Sequence, residues 1–219
     1  MQMENRGNSF NDESLSEEIA NSISHGLGIM LSVAALILMT VKTMQSGSRL
    51  AVVSAVVYGM SLIILYSMST LYHSFRSVRI KSFMNLLDHS SIYLLIAGTY
   101  TPILLLKLAG TYRLVMILVI WILAVAGIVS EIFKKKRSRL LSSVLYVAMG
   151  WIGVLAVEAL YAGIGFNGIM LILAGGIFYT AGVFFYLKNQ ISFNHAIWHI
   201  FVMAGSIAHY FAISNYVLI

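Results

Sequence analysis

The chain has 219 residues, 59% of them hydrophobic and only 10% charged, with a net charge of +6 and a mean hydropathy of +0.88. A soluble domain carries about 25% charged residues, so a water-soluble enzyme, a disordered chain and a nucleic-acid-binding module are excluded, despite a pI near 9.6. The absence of cysteine removes disulfides, iron–sulfur clusters and thiolate zinc sites.

Residues 1–18 hold five of the eight acidic residues and no apolar run. They read as a short acidic cytosolic tail, too acidic for a signal-peptide n-region. The rest, 19–219, reads as one transmembrane domain. A membrane helix needs about 20 mainly apolar residues, and charges punctuate this chain at that interval. The expected spans are Gly26–Val41, Leu50–Tyr72, Ser90–Leu106 and Leu114–Ser130. Two more fall within Leu140–Leu187, whose one charge is Glu158 and whose glycine-rich 163–168 stretch is the natural turn. A last span runs from about His195 to the C-terminus. The expectation is an all-α, seven-helix transmembrane bundle. Strands are excluded by the span lengths and the lack of polar/apolar alternation.

Basic residues orient the bundle. On the side of the N-terminus lie ten of the fourteen, including Arg76, Arg79, Lys81 and the 4–5 loop Lys134–Arg137 with Arg139. The other side has Lys42, Arg49, Lys107 and Arg113. The positive-inside rule then makes the N-terminus cytosolic and the C-terminus external. The Lys134–Arg137 cluster reads as a topology signal, with Glu131 pairing Lys134 or Lys135 one turn on.

Ionisable groups inside a membrane are costly and mark function. His25, His73, His89 with Asp88, and His195 fall at helix ends already placed on the cytosolic side, and His199 lies one turn beyond His195. His195 and His199 share a helix face, as do Ser69 and His73. His73, His195, His199 and Asp88 make a three-nitrogen, one-oxygen set that suits zinc. A catalytic zinc keeps three protein ligands and a water. On that reading the histidines ligate, Asp88 holds or activates the water, and Ser69 hydrogen-bonds water or substrate. Glu158 and His209, in the outer halves of their helices, stay outside the site.

These residues carry a resemblance. Glu18-x-x-Asn21-x-x-x-His25, Ser69-x-x-x-His73, Leu87-Asp88-x-Ser90-x-Ile92, Gly98-Thr99-Tyr100-x-Pro102 and His195-x-x-x-His199 occur in this order over nearly the whole chain. The sequence resembles the hemolysin III proteins of Bacillus-type bacteria, the bacterial branch of the progestin and adipoQ receptor superfamily. The resemblance implies seven helices with a cytosolic N-terminus in the plasma membrane, and a Zn2+ site on Asp88, His73, His195 and His199 with Ser69 nearby. His89 and His25 are not carried over. His89 is expected to be a helix-end hydrogen-bonder, and Glu18, Asn21 and His25, on one helix face, to cap and to join helices. Pro102 is expected to kink its helix. The short acidic tail does not support a hormone-receptor role.

Three functions stay open. The resemblance implies a membrane-lytic (haemolytic, cytolytic) toxin activity. The site points to a zinc-dependent hydrolase of lipid amides or esters, like the ceramidases in the wider superfamily. The third is a regulator of membrane lipid state with structural zinc. Membrane lipids are the expected partners, and the sequence sets no oligomeric state.

Overall fold

The computed structural model describes residues 14–133, 138–188 and 190–218. Among them there is no strand. Helix α1 (Leu15–Gln45) opens on a capping box: Glu17 N–H donates to Ser14 Oγ, and Ser14 N–H donates to Glu17 Oε2 at 2.9 Å. Residues 15–18 of the expected tail are thus the first turn of α1, and 1–13 lie outside the described residues. Helix α2 is Arg49–Ser74, α3 Val78–Lys107 and α4 Gly110–Phe133. Helix α5 (Arg139–Gly150) runs through a 3-10 stretch, Trp151–Ala156, into α6 (Val157–Leu187). Helix α7 (Asn194–Ala212) ends in a π turn, Ile213–Val217. Pro102 lies inside α3 without ending it. The Lys134–Arg137 cluster, and with it the expected partners of Glu131, lies outside the described residues; Glu131 itself is buried and accepts a hydrogen bond from Ser142 Oγ at 2.9 Å.

Six helical stretches among the described residues are long and apolar enough to cross a membrane, with Arg139–Leu187, 49 residues, taken as one. Inside that stretch Gly165 adopts φ 66°, ψ −176°, a conformation open only to glycine. The break falls within the glycine-rich turn expected at 163–168.

Helix α2 packs between α1 and α3, α4 covers another side of α3, and α7 packs against α6 and α1. The buried face of α1 includes Asn21, His25, Gly28, Ser32, Ala35 and Met39. The alternating four- and three-residue steps make one stripe along the helix, and its small side chains let α2 approach closely. Opposite faces stay apolar and exposed, as at Leu27, Leu31 and Leu38 of α1 and Leu118, Ile122 and Val125 of α4. Water would not tolerate so continuous a surface, but lipid does.

Candidate metal centre

The C-terminal end of α2 and the start of α7 meet beside the N-terminal half of α1. His73, the second-last residue of α2, and His199 are buried, and His195 is half-buried. One ligand nitrogen from each lies within 4.8 Å of the others. The rings meet edge to face: His73 and His195 at 4.8 Å and 88°, His195 and His199 at 4.7 Å and 83°, His73 and His199 at 5.2 Å and 71°. The start of α7 is fixed from α1. Phe193, just before the helix, is left-handed at φ 57°, and its N–H donates to Glu17 Oε1 at 2.9 Å.

Protonation follows from the partners. His73 Nδ1 lies 2.7 Å from Glu18 Oε2. A carboxylate only accepts, so Nδ1 carries the hydrogen, and in the neutral ring Nε2 carries the lone pair. His199 Nδ1 lies 3.2 Å from Asn21 O and 3.0 Å from Ser24 Oγ. The Ser24 hydroxyl donates to the same Asn21 carbonyl at 2.8 Å, so Nδ1–H of His199 donates too. Metal-binding histidines characteristically give their second N–H to a carboxylate or backbone carbonyl. The donor set therefore fits a metal that takes imidazole nitrogen. His73, His195 and His199 would hold such an ion through one ring nitrogen each, with the rings drawn closer than their present separations.

Asp88 is not within that 4.8 Å group. Helix α3 starts at Val78, so only Phe75–Ser77 join it to α2, and Asp88 lies ten residues inside α3 rather than at its tip. It is buried, and it and Ser69, also buried, line the same cavity as His195 and His199. Lys81 pairs with Glu18. His89 Nδ1–H donates to Asn85 O at 2.9 Å, and its Nε2 lies 3.2 Å from the Tyr186 hydroxyl. Among the described residues, His25 makes no hydrogen bond through either ring nitrogen. It stacks on His199 at 3.5 Å and 13°, with Tyr66 edge-on at 4.9 Å, so ring packing replaces the hydrogen bonding expected of it.

The cavity, about 170 Å³, runs from these groups between α3, the 3-10 stretch, α6 and α7, past Leu95, Ile103, Leu160 and Ile172 to His209. His209 Nε2–H donates to Ile172 O at 3.1 Å. Glu158 is exposed, and no ion pair joins it to His209 among the described residues. Glu18 and Asn21 join helices as expected, but sequence reasoning missed that, with Ser24, they supply the Nδ1 partners of His73 and His199. Their shared helix face was the available signal.

A family model described as Haemolysin-III related matches residues 13–210. Hemolysin-3 of Bacillus cereus is 45% identical over 202 residues, covering 92% of each chain. The Hemolysin-3 homolog of Bacillus subtilis is 45% identical over 92% of this chain and 95% of its own. The human monocyte to macrophage differentiation factor is 30% identical over 170 residues, 75% of this chain and 70% of its own. A rice protein named heptahelical transmembrane protein ADIPOR2 is 28% identical over 148 residues, 58% of this chain and 65% of its own.

Proposed function

The chain belongs to the Haemolysin-III related family and is a multi-pass protein of the bacterial plasma membrane, and on that premise we propose that it is a membrane-embedded zinc hydrolase of lipid amide or ester bonds. The observation that carries this reading is a three-histidine group, His73 and His199 buried and His195 half-buried, of which His195 and His199 line an apolar cavity together with a carboxylate, Asp88, and a hydroxyl, Ser69. Zinc is the preferred ion because imidazole and carboxylate are its ligands and thiolate is absent. Three ligands rather than four favour a catalytic over a purely structural ion. Bound there, zinc would supply Lewis acidity and a water with a pKa of about 7. Asp88 takes the proton from the attacking water and returns it to the departing amine or alcohol. Ser69 donates to the carbonyl oxygen of the substrate. The apolar wall holds an acyl chain and excludes bulk water.

The topology proposed with it has seven crossings. At 1.5 Å per residue the 49 residues of Arg139–Leu187 extend about 73 Å, more than twice the roughly 30 Å hydrocarbon core. The non-helical Gly165 supports a division into two spans at that point. The basic asymmetry sets the N-terminus in the cytosol and the C-terminus outside, and the site in the cytosolic leaflet.

A second reading is favoured by the name of the Bacillus cereus relative, namely membrane lysis. The two are compatible, since hydrolysing lipid itself breaches a membrane. Ceramide and ester-lipid hydrolysis and erythrocyte lysis, measured on wild type, Asp88→Asn and His195→Ala, separate them. Parallel loss of both activities joins the readings. Wild-type lysis by a folded His195→Ala variant without hydrolysis leaves lysis as a property of the apolar bundle. If no lipid is hydrolysed by zinc-loaded wild type, the hydrolase reading fails.

A further inference from the structure

Helix α1 contributes none of the three histidines, yet it supplies every hydrogen bond described to Nδ1 of His73 and His199. Glu18 does most. Its Oε2 accepts from His73 Nδ1–H at 2.7 Å, and its Oε1 pairs with Lys81 of α3. The group is largely out of solvent, with side-chain exposures of 0% for His73, 15% for Glu18 and 12% for Lys81. One carboxylate thus ties α1, α2 and α3 at the edge of the site.

We infer that Glu18 is a positioning residue that fixes His73 in the tautomer able to bind a metal, and that Lys81 pins the carboxylate for that task; the inference rests on the zinc reading above. The competing geometry lies beside it. Asn21 Nδ2 is 3.5 Å from the same Nδ1. An amide NH2 donates to imidazole nitrogen, which would leave the hydrogen on Nε2 and remove the lone pair that faces the ion. A carboxylate cannot donate, so with Glu18 in place Nδ1–H is the favoured state. Glutamine at 18 keeps the shape and loses the discrimination, because its amide offers both a donor and an acceptor. The negative charge also raises the basicity of the bound imidazole. Lys81 holds the second oxygen, which keeps the first aimed at His73.

Removing such an outer partner characteristically costs 10–100-fold in metal affinity. The test is zinc affinity of the full-length protein in detergent, measured by competition with a chelator, alongside the visible spectrum of the Co2+ form. We expect Glu18→Gln to bind zinc about 10–100-fold more weakly and to shift the Co2+ ligand-field bands. Glu18→Asp, which keeps the charge, should recover part of the loss. Ser22→Ala is the packing control: Ser22 Oγ meets Ser74 Oγ at 2.9 Å across the same two helices without touching a histidine, so its affinity should equal wild type. Wild-type affinity in Glu18→Gln while wild type binds one zinc overturns the inference and leaves the zinc reading standing. An equal loss in Ser22→Ala also overturns it, since helix packing would then explain both. If Glu18→Gln does not fold, Glu18→Asp decides, and undiminished affinity there counts against the inference. Absence of zinc binding in folded wild type removes the underlying reading itself.

Discussion

An imidazole binds a metal only through a ring nitrogen that has kept its lone pair, so the neighbours of each histidine decide which of the six is competent. His89 is occupied on Nδ1 by Asn85 O and faces Tyr186 through Nε2; His89→Ala should therefore leave zinc content unchanged in metal analysis of purified protein. Asp88→Asn should retain most of the zinc, because the three nitrogens stand without it. Lipid hydrolysis should fall about 100- to 10,000-fold, the usual worth of a general base. Loss of zinc in Asp88→Asn would instead make Asp88 a direct ligand. Which residues converge was legible in the sequence at His73, His195 and His199, since helical spacing and the positive-inside rule put them on one side. The tautomers were not. They depend on Glu18 and Asn21, which lie 55 and 178 residues away from the rings they hold.

Helix ends carry the next layer. Glu17 closes the capping box of α1 and accepts from Phe193 N–H, so one side chain fixes the start of α1 and the strained turn into α7. Glu17→Ala should cost about 1–2 kcal/mol, one cap and one hydrogen bond, and Glu17→Gln, whose amide keeps one acceptor oxygen and turns an NH2 donor toward the other N–H, should lose one of the two contacts; thermal unfolding in detergent measures both. At Gly127 of α4 an added Cβ would lie 2.3 Å from the Tyr93 ring of α3. Gly127→Ala should destabilise by about 1–3 kcal/mol through forced separation of those helices, seen as a lower unfolding midpoint with zinc affinity retained. The sequence placed the apolar spans well because charge punctuates them. It misjudged where helices begin. Ser14-x-x-Glu17 was a capping signal left unread, and the polar turns 78–89 of α3 continue the helix beyond its apolar part, which displaces Asp88 from the tip.

At the scale of the whole molecule, the absence of cysteine gives a clean background for mapping sidedness. Asn167, exposed and two residues past the Gly165 break, should as Asn167→Cys react with a membrane-impermeant maleimide on intact cells. Exposed Arg79, as Arg79→Cys, should react only after permeabilisation. The reverse pattern would invert the bundle and move the histidines to the outer leaflet, and protection of both sites would argue against two crossings in Arg139–Leu187. The break was legible, because only glycine takes the conformation at 165 and the sequence clusters glycine at 163–168. The cavity was not, since its walls come from α1, α2, α3, α5, the 3-10 stretch, α6 and α7 together. The claim on which the rest depends is that this bundle holds one metal ion on His73, His195 and His199. Metal analysis of detergent-purified wild type beside His195→Ala/His199→Ala tests it most directly. We expect about one zinc per chain in wild type and almost none in the folded double variant; equal zinc in both, or none in wild type supplied with zinc, would contradict it.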